Sequence, residues 1–144
     1  MNQQITPQQV LNPALELSRA LYVDVNPNFD PNTSPSHLLK DSYAVVYGSI
    51  ANLIMTPQGG RSRIFQEDYF CGVLSMIHEP MDETTASFMS MSLTTAIRRW
   101  EPRIEDVSVQ VEVVLSLPGY KIYVTGRLKG LDDSEFSATY GLPI

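Results

Sequence analysis

The hydrophobic period of this chain changes at one proline, and that change constrains what the chain can fold into. Before Pro102, the residues Ala86, Met89, Leu93, Ala96, Ile97 and Trp100 recur at the spacing of one helical face, with Phe88 and Met91 widening the stripe. Asp82 stands where an N-cap belongs. Asp82 and Glu83 suit the positive end of the helix dipole, and Arg98 and Arg99 suit its negative end. Beyond Pro102 the period is two: Val107, Val109, Val111 and Val113 alternate with Ser108, Gln110 and Glu112, a strand with one apolar and one wet face. Proline locks φ at about −65° and turns the preceding residue away from the α region, so Trp100 and Glu101 must leave the helix. Residues two apart in an extended segment point the same way, so Glu101 and Arg103 are expected to project together as a fixed, charged corner. As a structural device alone, that corner is a helix stop with a solvated ion pair contributing at most about 1 kcal/mol.

Two further runs complete a sheet. Tyr120, Ile122 and Val124 lead to Leu128, and Phe136, Ala138, Tyr140 and Leu142 line a third strand, after turns at Leu117-Pro118-Gly119 and Leu131-Asp-Asp-Ser134. Upstream, Tyr43, Val46, Tyr47, Ile50, Leu53 and Ile54 follow helical spacing, with Asp41 or Ser42 as the cap and Gln58-Gly59-Gly60 as the closing turn. The aromatic segment from Ile64 to Gly72 is either a strand or a packing loop, and Val73 to His78 reads as a short helix closed by Pro80. The expected fold class is therefore α+β: two main amphipathic helices packed on a three-stranded antiparallel β-meander. At 144 residues and 43% apolar, the chain can bury roughly two-thirds of its unfolded surface, enough for one domain, expected at residues 36–144. Residues 1–35 hold Pro7, Pro13, Pro27, Pro31 and Pro35 and the tract Asn26 to Pro35, a poor core former. They are expected to form a Pro/Asn-rich N-terminal arm, ordered on assembly or serving as a linker, in which Leu21 to Val25 can make a short strand.

Several chemistries are excluded by what the chain lacks. Its single cysteine, Cys71, cannot form an internal disulfide and reads as a small buried hydrophobe in a reducing compartment. No apolar run approaches the roughly 20 residues of a membrane span, and Met-Asn-Gln-Gln lacks the basic start of a signal peptide, so synthesis and assembly in the cytoplasm are expected. A net charge of −6 and a pI near 4.7 disfavour nucleic acid and favour protein partners. His37 and His78 have no ligand at metal spacing, and Gly59-Gly60-Arg61 lacks the Lys-Ser/Thr of a phosphate loop. The carboxylates Glu67/Asp68, Glu79/Asp82/Glu83 and Asp132/Asp133 fall at caps and turns, whereas glycoside hydrolysis needs two acids facing each other across a cleft. No catalytic residue, metal or cofactor is expected.

The order and spacing of Ser49-Ile-Ala-Asn-Leu-Ile-Met-Thr56, the Gly59-Gly60-Arg61 turn, Glu79-Pro-Met-Asp-Glu-Thr-Thr-Ala86 and Arg99-Trp-Glu-Pro-Arg-Ile104 carry a further message. Together they resemble the small baseplate wedge proteins of contractile phage tails, the T-even-type family with a Glu-Pro-Arg motif that includes TssE of type VI secretion. The likeness runs from about Leu21 through the meander and is densest from Glu79 to Val113. It implies a structural component of the sixfold virion tail baseplate, in which Glu101, Pro102 and Arg103 bind the helical core bundle of neighbouring wedge proteins. It also implies a place under the first sheath ring, with tail tube or hub proteins as further neighbours. Family members present a sheet similar to the strand-exchange domain of the sheath protein. An open edge at Phe136, Ser137, Ala138, Thr139 and Tyr140 would then template sheath polymerisation by β-strand addition, unless Leu21 to Val25 covers it. The chain departs from the family pattern at Arg61-Ser-Arg-Ile64, which reads as a small insertion, and at the glycine following Cys71. Phage tail and type VI or other injection systems stay open at this point, and a tail-associated lysozyme-like hydrolase is the alternative from a different class.

Overall fold

The computed structural model describes residues 22–25, 38–39, 42–59, 68–130 and 134–144. The tract Asn26 to Pro35, His37, Asp41, the Arg61–Ile64 insertion, Glu67 and the pair Asp132/Asp133 lie outside those residues. The chain divides into two compact units, Met1–Val45 and Val46–Ile144. In the first, β1 (Asp24–Val25) pairs antiparallel with β2 (Leu38–Leu39), with Asp24 opposite Leu39 and Val25 opposite Leu38. The strand expected within Leu21 to Val25 thus exists as two residues, and its partner is β2. At the start of α1 (Ser42–Ile54), the Ser42 hydroxyl accepts from the Tyr22 N–H at 3.3 Å.

α1 buries Val46, Ile50, Leu53 and Ile54 of the stripe its spacing dictates, whereas Tyr43 and Tyr47 of that stripe are exposed. Tyr47 stacks on Tyr140 with ring centroids 4.6 Å apart, and the Tyr140 hydroxyl donates to the Tyr47 carbonyl at 3.0 Å. The chain from Asp68 to Cys71 is a loop, which buries the Cys71 thiol at 2% exposure; that burial pushes its pKa up. Gly72, at φ 76°, leads into the short α2 (Val73–Met76).

α3 (Glu83–Trp100) begins as expected: Asp82 is extended, and its carboxylate accepts from the Thr85 N–H at 2.8 Å. Ala86, Met89, Leu93, Ala96 and Ile97 are buried. Phe88 and Met91 do not widen that stripe; they are 59% and 68% exposed. The helical step of about 100° per residue explains this, because Phe88 precedes the buried Met89 by one step and Met91 follows it by two. Trp100 is half-buried, edge-on to Tyr69 at 5.4 Å, with the Arg99 guanidinium 4.7 Å above its ring.

β3 (Ile104–Val114), β4 (Gly119–Leu128) and β5 (Glu135–Pro143) form the antiparallel meander in the order β3-β4-β5. Their inward residues, Val107, Val109, Tyr120, Ile122, Val124, Leu128, Phe136, Ala138, Tyr140 and Leu142, form the sheet side of the core. Alternation in β3 is broken once. The register shifts between Glu105 and Ser108, and Asp106 sits there at φ 52° in the left-handed region. Opposite this bulge lies Gly126, where an added Cβ would meet Ile104 Cγ2 at 2.5 Å and the Glu105 carbonyl oxygen at 2.7 Å.

Among the described residues one core group is unsatisfied. The Tyr120 side chain is 1% exposed, and its hydroxyl has no hydrogen-bond partner. Burial pushes this phenol up, with the Asp82 carboxylate adding to the effect. An orphaned buried hydroxyl costs about 1–3 kcal/mol of desolvation. Tyr120→Phe is therefore expected to stabilise the fold by about 1 kcal/mol in urea titration. A midpoint lower than that of the parent would show that the hydroxyl is engaged after all.

Candidate functional site

The corner between α3 and β3 begins as an extra helical turn. The Glu101 N–H donates to the Ile97 carbonyl at 2.8 Å, so Glu101 lies four residues beyond Ile97 and inherits its buried face. Its side chain is 2% exposed. Pro102 then prevents further helix, and the Ile104 N–H closes a turn onto the Glu101 carbonyl at 3.3 Å. Inside that turn the Glu101 carboxylate accepts both Arg103 Nε at 2.5 Å and Arg103 Nη2 at 2.6 Å, a bidentate pair. Arg103 is 29% exposed at its side chain, and its carbonyl accepts from the Lys129 N–H at 2.9 Å.

The sequence thus pairs the two residues correctly but misplaces one of them. Glu101 is not a surface charge; it is buried and holds Arg103 in place. The segment is a turn and not the extended stretch that the proline implied, because the Glu101 N–H stays bonded into the helix. At the surface the corner shows the exposed Pro102 ring beside an Arg103 side chain that is 29% exposed. Next to it the bulge displays exposed charges in pairs: Arg127 with Asp106, and Lys129 with Glu105 at 3.7 Å. No sequence signal announced the bulge, since Asp106 falls within an otherwise ordinary strand pattern.

The register also fixes which backbone groups face out of the sheet. The Leu128 N–H donates to the Ser134 carbonyl at 3.1 Å, so even-numbered β4 residues face β5 and odd-numbered ones face β3. Across β5, Phe136, Ala138, Tyr140 and Leu142 therefore bond back to β4, whereas Thr139 and Gly141 direct their N–H and C=O groups to the outer edge. The Thr139 carbonyl, facing outward, accepts from the Tyr47 hydroxyl at 3.4 Å. Across β3, Val107, Val109, Val111 and Val113 face outward by the same parity. The Val107 and Val109 carbonyls are taken by α3, from Arg98 Nη2 at 3.2 Å and Ser90 Oγ at 2.7 Å.

The acids have structural occupations. Asp82 caps α3, and the Thr85 N–H holds its carboxyl below the usual range, the opposite of what a general acid requires. Asp68 pairs with Arg99, and Glu112 accepts from the Tyr123 hydroxyl at 3.2 Å. His78 is exposed, and no cluster of three or more His, Cys, Asp or Glu suited to a metal occurs among the described residues.

Comparison with known proteins agrees with this geometry. Residues 41–129 match the family model described as Baseplate wedge protein gp25. Baseplate wedge protein gp25 of Enterobacteria phage T4 is 28% identical over 117 residues, covering 80% of this chain and 84% of its own. Among solved structures, a Geobacter sulfurreducens protein whose tail-lysozyme name is provisional superposes with a TM-score of 0.65 at 22% identity, over 76% of this chain and 96% of its own. That last likeness concerns the fold alone. The matched span includes both main helices, the Glu101-Pro102-Arg103 corner and two strands of the meander, and this chain belongs to the gp25 family of baseplate wedge proteins, structural components of the phage tail.

Proposed function

We propose that this wedge protein joins its neighbours in the baseplate through the Glu101-Pro102-Arg103 corner and offers the β5 edge of its sheet to strands of the tail sheath. The corner reading is carried by the bidentate pair: a buried carboxylate spends its hydrogen-bonding capacity on Arg103 and so presents a rigid guanidinium beside an exposed proline. Such a cation favours a carboxylate or helix C-terminus, and the ends of a helical bundle supply both. The edge reading rests on register. Thr139 points its N–H away from β4, and Phe136, Ala138 and Tyr140 hold the strand in place from the core side. Neither part requires a catalytic residue.

Thr139→Pro tests the edge reading in assembled tails. It removes an outward donor at a position where proline is tolerated in an edge strand. The variant is expected to enter baseplates and to leave them without sheath. Sheaths of normal length on variant baseplates, seen by electron microscopy, would overturn docking at this edge. Absence of the unmutated protein from purified baseplates would overturn the wedge assignment itself.

A further inference from the structure

The opposite edge of the sheet carries a site of its own. α3 covers β3 only in part: Val107 and Val109 are buried, Val111 and Val113 half-buried, and Leu115 beyond them 78% exposed. Between the first half of α3 and the upper part of β3 runs a groove of about 740 Å³, lined by Glu83, Ala86, Ser87 and Met91 on one side and by Val111 and Val113 on the other. It is bounded where Ser90 Oγ closes on the Val109 carbonyl. Above that point the parity of the register sends the N–H and C=O groups of Val111 and Val113 into the open edge. Both side chains lie on the apolar face of the strand. Nothing in β3 above the bulge blunts this edge with lysine or proline.

We propose that this groove accepts a second extended strand, from a partner whose strand alternates apolar with basic side chains. Two backbone donors and two acceptors in a row, spaced two residues apart, match an extended backbone and not a helix, whose own groups are satisfied internally. The charge of the groove selects the partner. Glu83 lines it from α3, Glu112 stands beside it on the wet face of β3 where it accepts from the Tyr123 hydroxyl, and no lysine or arginine lines it. A second copy of this chain, at net charge −6, would bring Glu112 against Glu112 when its β3 paired antiparallel with the same edge. A basic strand meets complementary charge instead. The site lies on the opposite side of the meander from Thr139, so the two edges can be filled independently.

The probe is a fluorescein-labelled peptide, Lys-Val-Thr-Val-Lys-Val-Thr, with a Glu-for-Lys counterpart, titrated with the full-length protein and followed by anisotropy. Saturable binding of the basic peptide is expected, weakening as salt is raised, with the acidic peptide at least about tenfold weaker. Val113→Pro removes one edge donor, and Ser87→Trp fills the groove from an exposed position on α3 without altering a strand residue. Each is expected to weaken the basic peptide about tenfold or more, while Thr139→Pro leaves it unchanged. The far-ultraviolet spectrum of each variant reports folding, and Ser87→Trp keeps the test decisive if Val113→Pro unfolds. No saturable binding, equal binding of the two peptides, or binding untouched by Ser87→Trp would each overturn the proposal. Loss in Thr139→Pro alone would assign the strand to β5 instead.

Discussion

Arg103→Ala is expected to lower the stability of the isolated protein by about 3 kcal/mol, visible as a shifted midpoint in denaturant titration with an unchanged slope. Were Glu101 on the surface, removing its partner would cost less than about 1 kcal/mol. The Glu101 side chain is 2% exposed, however, and among the described residues its carboxylate is held by Arg103, at 2.5 and 2.6 Å. Truncating Arg103 leaves a buried carboxylate without its counter-charge, a change that costs about 3–5 kcal/mol in other proteins. The lower end applies here because Arg103 itself is 29% exposed and water can partly replace it. Replacing both partners removes the problem. Glu101→Leu combined with Arg103→Met is expected to recover most of the loss, since apolar substitution of a whole buried pair is often neutral or stabilising. A single Arg103→Ala variant as stable as the parent would show that the pair contributes nothing.

Gly126→Ala is expected to cost about 2–3 kcal/mol, although the added methyl group is the smallest a side chain can be. Its Cβ would lie 2.5 Å from Ile104 Cγ2 and 2.7 Å from the Glu105 carbonyl oxygen. The first of these can move, being the end of a buried side chain, but the second is backbone held by the bulge at Asp106. Relief requires β3 and β4 to separate where Ile104 pairs with Leu128 and Glu105 with Arg127. That stretch also anchors the corner, through the Lys129 N–H and the Arg103 carbonyl. By contrast, Gly141→Ala meets nothing within 4 Å and should be nearly silent in the same titration. Equal stability of the two variants would show that the bulge has no rigid geometry.

Periodicity made the architecture legible. The runs Val46 to Ile54, Ala86 to Ile97, Val107 to Val113, Tyr120 to Leu128 and Phe136 to Leu142 each keep one period long enough to define an element, and the structure buries most of their apolar faces, with Tyr47 exposed and Val111 and Val113 half-buried. Context was harder to read. Pro102 announced a helix end, yet no local rule revealed that Glu101 would stay hydrogen-bonded to Ile97 and turn inward. Phe88 and Met91 are apolar, and only the position of β3 decides that they fall outside the core. The edge parity of Thr139 and Val113 depends on a single pairing, Leu128 with Ser134, that alternation cannot supply, because every strand alternates in either register. The Asp106 bulge was silent for the same reason: it changes pairing and leaves composition untouched.

The most direct measurement of the corner's role is recovery of the variant Glu101→Leu/Arg103→Met in assembled baseplates, alongside its stability in isolation. If the pair exists to present a fixed cation to neighbouring wedge proteins, the variant folds with a midpoint near that of the parent and is absent from purified wedges. Recovery of the folded variant at the level of the parent protein would contradict that role.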